Sequence, residues 1–269
     1  MAYRVTEKSL ARRIAAGRGQ GEGENYAPFI CVHEIASKGV SYRFMGWKTG
    51  RVHQLLSTNE MRYFMVLEWN DTIQDIREQY PILPRDNTQA IAATLHVRHP
   101  RAPGGVDWPV TTDFVLTVSE PLASPRTIVR TVKPAKELDD DRVKQKLAIE
   151  KHWWHARGID WKIVRDIDIP IAYADNVAWL HGWRKIHDLP IDADQLPRVM
   201  GWLDYELGHH PDHVLAQCGQ RADHHFGLPP GTGMAVVRHL LAIKHWSVPM
   251  HRPIRPLHVI PTLRTEMPS

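Results

Sequence analysis

Three side chains carry the chemistry that the sequence offers. Asp113 closes a Val-Thr-Thr-Asp stretch, Lys133 closes a Thr-Val-Lys stretch beyond a Pro/Ser turn, and Glu60 lies upstream in Ser57-Thr58-Asn59-Glu60. If the two β-rich stretches pair, a carboxylate and an ammonium lie side by side, and a helix brings a second carboxylate to them. Two acidic oxygens suit a hard divalent cation, Mg2+ or Mn2+ in its place. A cation with a lysine beside it can activate water, offset the charge of a pentacovalent transition state and help a 3′ oxygen leave, which is what phosphodiester hydrolysis requires. In this reading Glu60 and Asp113 ligate the metal and the carbonyl of Val132 adds a third oxygen. Lys133, one residue on and so projecting to the opposite side of the strand, orients the water or neutralises the phosphate. Glu150 is a fourth candidate, although beside Lys146 and Lys151 it also reads as one of several helix-surface charges. Each residue has a plainer role as well: Glu60 as the third position of a capping box, Asp113 as a strand end, Lys133 as a solvated side chain.

The elements that must position these groups follow from local signals. Leu10, Ile14 and Ala15 give residues 6–16 a helical stripe, and the alternating glycines of 17–23 end it in a flexible loop. The loop lacks the Gly-Lys-Ser/Thr ending and the preceding strand of a phosphate-binding loop. Residues 28–35 and 40–46 read as a hairpin around Ser37-Lys38-Gly39, with a further turn at Thr49-Gly50. The capping box starts a helix whose buried stripe is Met61, Phe64, Met65 and Trp69. Residues 73–80 form a strand that Pro81, Pro84, Asp86 and Asn87 end, and 100–108 form a Pro/Gly loop. Strands near 111–118 and 127–132 flank the Pro/Ser turn. A helix over 138–157 follows, stopped by Gly158 and packing Trp153 and Trp154 between helix and sheet, then a strand over 161–164. After Asp168 the texture turns helical, with helices at 172–183, 196–207, 212–226 and 234–246, a turn over 227–233 and a Pro-rich tail. The expected architecture is α/β: a mixed sheet flanked by helices over residues 1–168, then a smaller helical, winged-helix-like domain over 169–269 for DNA and partner contacts.

Composition bounds the partners. The 269 residues are 43% hydrophobic and 24% charged, enough apolar material for a core. No apolar run nears the length of a membrane span, and the basic N-terminus lacks an apolar stretch behind it, so a cytoplasmic protein without membrane attachment is expected. Cys31 and Cys218 are too far apart in sequence to suggest a disulfide framework. Both ends are basic: residues 1–20 carry five Lys/Arg against one acid, and 221–269 carry six against two. With Trp246, Phe226, His224 and His225 interleaved, that charge favours DNA, though it also fits a solvated basic surface. His209, His210, His213, Cys218, His224 and His225 offer a rival zinc site, at spacings that match no standard finger. No Gly-x-Ser-x-Gly elbow supports a serine nucleophile.

Several stretches together resemble the TnsA family, the endonuclease subunits of heteromeric cut-and-paste transposases. They are residues 14–21 (IAAGRGQG), 49–53 (TGRVH), 55–57 (LLS) with Glu60, 67–69 (LEW), 75–81 (DIREQYP), 111–114 (TTDF), 132–135 (VKPA), 149–153 (IEKHW) and 176–180 (NVAWL). The likeness covers nearly all of the first domain and fades beyond about residue 185. It implies a restriction-endonuclease-like fold with Glu60, Asp113 and Lys133 at the family's acidic and basic catalytic positions, and Glu150 at an acidic position on the next helix. It also implies cutting of the 5′ strands at transposon ends. The 3′ ends would fall to an integrase-like subunit, TnsB, and an ATP-dependent regulator, TnsC, would contact the C-terminal region. Thr131 stands where a bacterial relative has glutamine. Two other functions fit the same residues: a restriction-type nuclease acting alone, and a non-enzymatic DNA-binding adaptor that has lost its metal.

Overall fold

Thr6 and Ser9 begin the first element. Each side chain accepts the other's backbone N–H, at 3.2 and 2.9 Å, and the reciprocal cap starts α1 (Glu7–Ala15). The computed structural model describes residues 5–34, 39–185, 189–210, 212–259 and 263–264. The glycine loop after α1 is built rather than slack. Gly19 has φ +80°, and a Cβ there would overlap the ring of Pro81, so only glycine lets the loop lie against that residue.

The first hairpin differs from expectation. β1 (Tyr42–Met45) pairs antiparallel with β2 (Val52–Leu55), turning at Gly46–Gly50, while Val32–Glu34 form a 3-10 turn. Residues 35–38, with Ser37 and Lys38 of the expected turn, lie outside the described residues. The hairpin is set by a buried anchor that sequence spacing does not display: Arg51, His53 and the backbone of Gln54 all bond to Glu78.

α2 (Thr58–Trp69) starts on Ser57, whose hydroxyl accepts the Glu60 N–H at 3.2 Å. β3 (Ile73–Pro81) is followed by α3 (Arg85–Thr94), which the sequence reading missed. The residues taken as breakers begin it: Pro84 is its N-cap and Asp86 lies in its first turn, where the helix's own N–H groups lack partners and a negative charge is favourable. β4 (Thr111–Val118), β5 (Arg126–Lys133), α4 (Asp141–His155) and β6 (Asp160–Arg165) complete this part. The sheet runs β3-β4-β5-β6, antiparallel until the last pair, and α4 makes the crossover that the parallel β5/β6 pair requires. Helices cover both faces. Phe114 meets Tyr63 of α2 at 5.7 Å between ring centres, while Val115 and Val129 pack with Ile149, Trp154 and Trp161.

Contacts divide the chain into Met1–Ile169 and Pro170–Ser269. The second unit holds α5 (Ile171–Leu180), α6 (Leu196–His209), α7 (Leu215–Phe226) and α8 (Thr232–Ala242), then a two-residue pair, β7 (Trp246–Ser247) with β8 (Leu263–Arg264). Asp223 of α7 accepts the N–H groups of Gly231 and Gly233 at 2.7 and 2.5 Å, fastening the start of α8. Trp246, expected to face DNA, is instead 1% exposed and donates to Asp204 at 2.8 Å.

Candidate active site

The sheet brings Asp113 and Lys133 together. Asp113 Oδ2 accepts the Val132 N–H at 2.7 Å and the Lys133 ammonium at 3.0 Å, and the same ammonium donates to the Val132 carbonyl at 3.0 Å. Lys133 therefore does not project away from its neighbours as strand alternation suggests. Its flexible four-carbon stem folds back, and its charge sits on two of the oxygens expected to hold a metal. Burial works against that charge, but Asp113, Glu150 and Glu60 outweigh it and hold the lysine above its ordinary range.

Glu60 sits at the third position of α2 and is 8% exposed. The capping box forms in altered shape. The carboxylate takes the Ser57 hydroxyl on Oε1 at 3.0 Å and the Leu56 N–H on Oε2 at 2.9 Å, with Gln79 Nε2 also on Oε2 at 2.9 Å. Burial, followed by the charge of Asp113, pushes Glu60 up to about 7.

Glu150 is not a surface charge. It is 3% exposed, and its Oε1 accepts Thr112 at 2.8 Å, Trp161 at 3.0 Å and the hydroxyl of Thr131. With Oε1 taken by three donors, a proton on this carboxyl belongs on Oε2. Burial, with Asp113's charge added, pushes Glu150 up to about 7. Thr131 thus orients Glu150. Asp113, Thr131, Lys133 and Glu150 line a cleft of about 1020 Å3, with Arg142 and Lys146 of α4 on its wall. Glu60 does not line it but is coupled by charge to Asp113 and Lys133.

The donor set fits a hard cation. Glu60, Asp113 and Glu150 are buried carboxyls, Glu60 and Glu150 raised to about 7 by burial and then by the charge of Asp113, and the Lys133 ammonium already marks a cation position on Asp113 Oδ2 and the Val132 carbonyl. Among the described residues no group of three or more His, Cys, Asp or Glu forms a ready cage. The histidines of the zinc alternative are engaged pairwise: His210 stacks on His213 at 4.5 Å, His225 on Trp202 at 5.0 Å and His209 on Tyr205 at 3.9 Å. Sequence reasoning did not single out Gln79, Thr112 or Trp161 as parts of the site. Only Thr112, adjacent to Asp113, carried a local signal.

The raised Glu150 has a consequence for stability. At pH below its ordinary value of 4.5 the folded and unfolded chains both keep the proton, whereas above about 7 the folded chain must lose it from a buried place. The native state binds more protons between these values, so stability falls as pH rises through them, by ~3 kcal/mol for this group. Glu60 acts in the same direction. Melting in chelator should show a lower transition at about pH 8 than at about pH 5, and Glu150→Gln, which keeps the Oε1 acceptor, should remove roughly half of the difference. A transition that rises over this range would contradict the assignment.

Residues 70–166 match the family model described as TnsA-like endonuclease N terminal, and residues 168–250 that described as TnsA endonuclease C terminal. Over 237 residues the chain is 35% identical to the Transposon Tn7 transposition protein TnsA of Escherichia coli, covering 88% of this chain and 84% of the relative. The chain belongs to the TnsA endonuclease family. The N-terminal TnsA match takes in Asp113, Thr131, Lys133 and Glu150 and begins beyond Glu60. In this TnsA-family chain the mixed sheet flanked by helices is the restriction-endonuclease-like frame of a nuclease acting on DNA. No helix of the described residues is long and apolar enough to cross a membrane.

Proposed function

We propose that this chain is the endonuclease subunit of a heteromeric transposase, cutting the 5′ strands at transposon ends by Mg2+-dependent hydrolysis. The observation that carries the reading is the meeting of Asp113, Lys133 and the Val132 carbonyl within 3.0 Å contacts, with two proton-holding carboxyls beside them. Glu60, Asp113 and the Val132 carbonyl would hold the ion. Mg2+, or Mn2+ in its place, would supply charge for the transition state and an acidified water. Lys133 neutralises the scissile phosphate or orients the attacking water, and Glu150 Oε2 holds or takes up a proton near neutral pH. The 3′ strands fall to an integrase-like subunit of the TnsB type, and the second unit meets DNA and an ATP-dependent regulator of the TnsC type.

Strand-resolved gels of end-labelled transposon ends, run with partner subunits and Mg2+, test this. The 5′ nick should appear only when this chain is present, and leaving the chain out should spare the 3′ nick. A 5′ nick made without it, or plain plasmid cut as fast by this chain alone, would overturn the reading.

A further inference from the structure

Gln79 has a backbone that a strand residue rarely adopts: φ +50°, in the left-handed region that favours glycine. It is 2% exposed. In the β3/β4 register Glu78 faces Phe114 and Tyr80 faces Thr112, which sets Gln79 opposite Asp113. Two hydrogen bonds fix it. Its carbonyl accepts the Phe29 N–H at 3.3 Å, and its side-chain Nε2 donates to Glu60 Oε2 at 2.9 Å. The other donors to Glu60, Ser57 and Leu56, come from the start of Glu60's own helix. Among the described residues Gln79 is the one that reaches that carboxylate from β3, the strand paired with that of Asp113. A strained conformation persists where its surroundings over-determine it, and such places cluster at functional sites.

We propose that Gln79 is a positioning residue that sets the Glu60 carboxylate against Asp113, its left-handed backbone delivering the amide from β3 to α2. The inference rests on Glu60 holding the metal. Groups that orient a metal ligand, when removed, weaken metal affinity by roughly 10- to 100-fold. Glycine at this position would lose the amide yet relieve the backbone, so a purely structural residue and a positioning residue predict opposite outcomes.

Gln79→Gly should raise the Mg2+ concentration that half-saturates 5′ cleavage by roughly 10- to 100-fold, with a much smaller loss of rate at saturating Mg2+. The rise in melting temperature that Mg2+ produces should shrink, while the melting temperature in chelator stays at or above that of the unaltered protein. Gln79→Asn, which tolerates the same backbone with a shorter amide, should fall between the two. Mg2+ dependence within about twofold of the unaltered protein by both readouts, in a folded Gln79→Gly or Gln79→Asn protein, overturns the inference. Glu60→Ala run in parallel separates the failures. If Glu60→Ala loses Mg2+ dependence and Gln79→Gly keeps it, only this inference falls, whereas unchanged Mg2+ dependence in Glu60→Ala removes the reading beneath it.

Discussion

Asp113→Ala is expected to abolish 5′-strand cutting, by at least about 10^3-fold in rate, while 3′ joining by the partner subunit continues. The size follows from how much meets at one atom. Asp113 Oδ2 bonds both the Val132 N–H and the Lys133 ammonium, and its charge helps to raise both Glu60 and Glu150. Alanine removes a metal ligand and releases the ammonium from one of its two oxygens. It also leaves the Val132 N–H without its carboxylate acceptor. Asp113→Asn keeps an acceptor for Val132 but not the charge, so a similar loss in both variants assigns the effect to the charge. With only one strand cut at each end, the element stays attached to its donor. Products should shift from simple insertions to cointegrates, resolved by restriction mapping, and simple insertion at the unaltered level would sink the assignment of Asp113.

What was legible in the sequence was local. Asp113 and Lys133 end β-branched stretches joined by a short turn, so their pairing needs no distant information. Ser57-Thr58-Asn59-Glu60 placed Glu60 on a helix start by capping chemistry alone. Trp154 read as core from its helical spacing, and it packs in the core between α4 and the sheet. For the polar side chains misread at Glu150 and Trp246 the cause is shared: the partner lies far along the chain. Glu150 looked solvated beside Lys146 and Lys151, yet it is buried under Thr112, 38 residues away, and Trp161. Trp246 looked available to DNA, but Asp204 holds its indole. The alternating glycines promised flexibility, whereas contact with Pro81 fixes Gly19. Gln79 carries no local sign of its role, because its backbone is imposed by what surrounds it.

Glu78→Ala should be the most destabilising single change in the first unit, by about 3–5 kcal/mol, because it strands a buried guanidinium. Glu78 is fully buried, and its two oxygens take both terminal nitrogens of Arg51 at 2.9 and 2.6 Å, His53 Nδ1 at 2.8 Å and the Gln54 N–H at 2.9 Å. Thr49 Oγ1 lies 2.7 Å from the other ring nitrogen of His53, so hydroxyl, imidazole and carboxylate stand in the order of a hydrolytic relay. Access decides against catalysis: His53 and Glu78 are 0% exposed and Thr49 5%, so no substrate reaches the hydroxyl. The relay is an anchor that fastens the β1/β2 hairpin to β3, one residue before Gln79. Burial opposes the charge of Glu78, but His53 and Arg51 outweigh it and hold the carboxyl down at about 2. Its contribution is therefore complete above the ordinary value of 4.5 and is lost as pH falls from there toward about 2. Urea midpoints at neutral pH should drop sharply for Glu78→Ala and less for Glu78→Gln, which keeps an acceptor for Arg51. Because Glu78→Gln keeps an acceptor at the anchor and touches none of the proposed metal ligands, a folded Glu78→Gln protein should keep the Mg2+ dependence of 5′ cleavage. A loss below about 1 kcal/mol in Glu78→Ala would show that Arg51 finds water or another acceptor, and that the hairpin is held by something else.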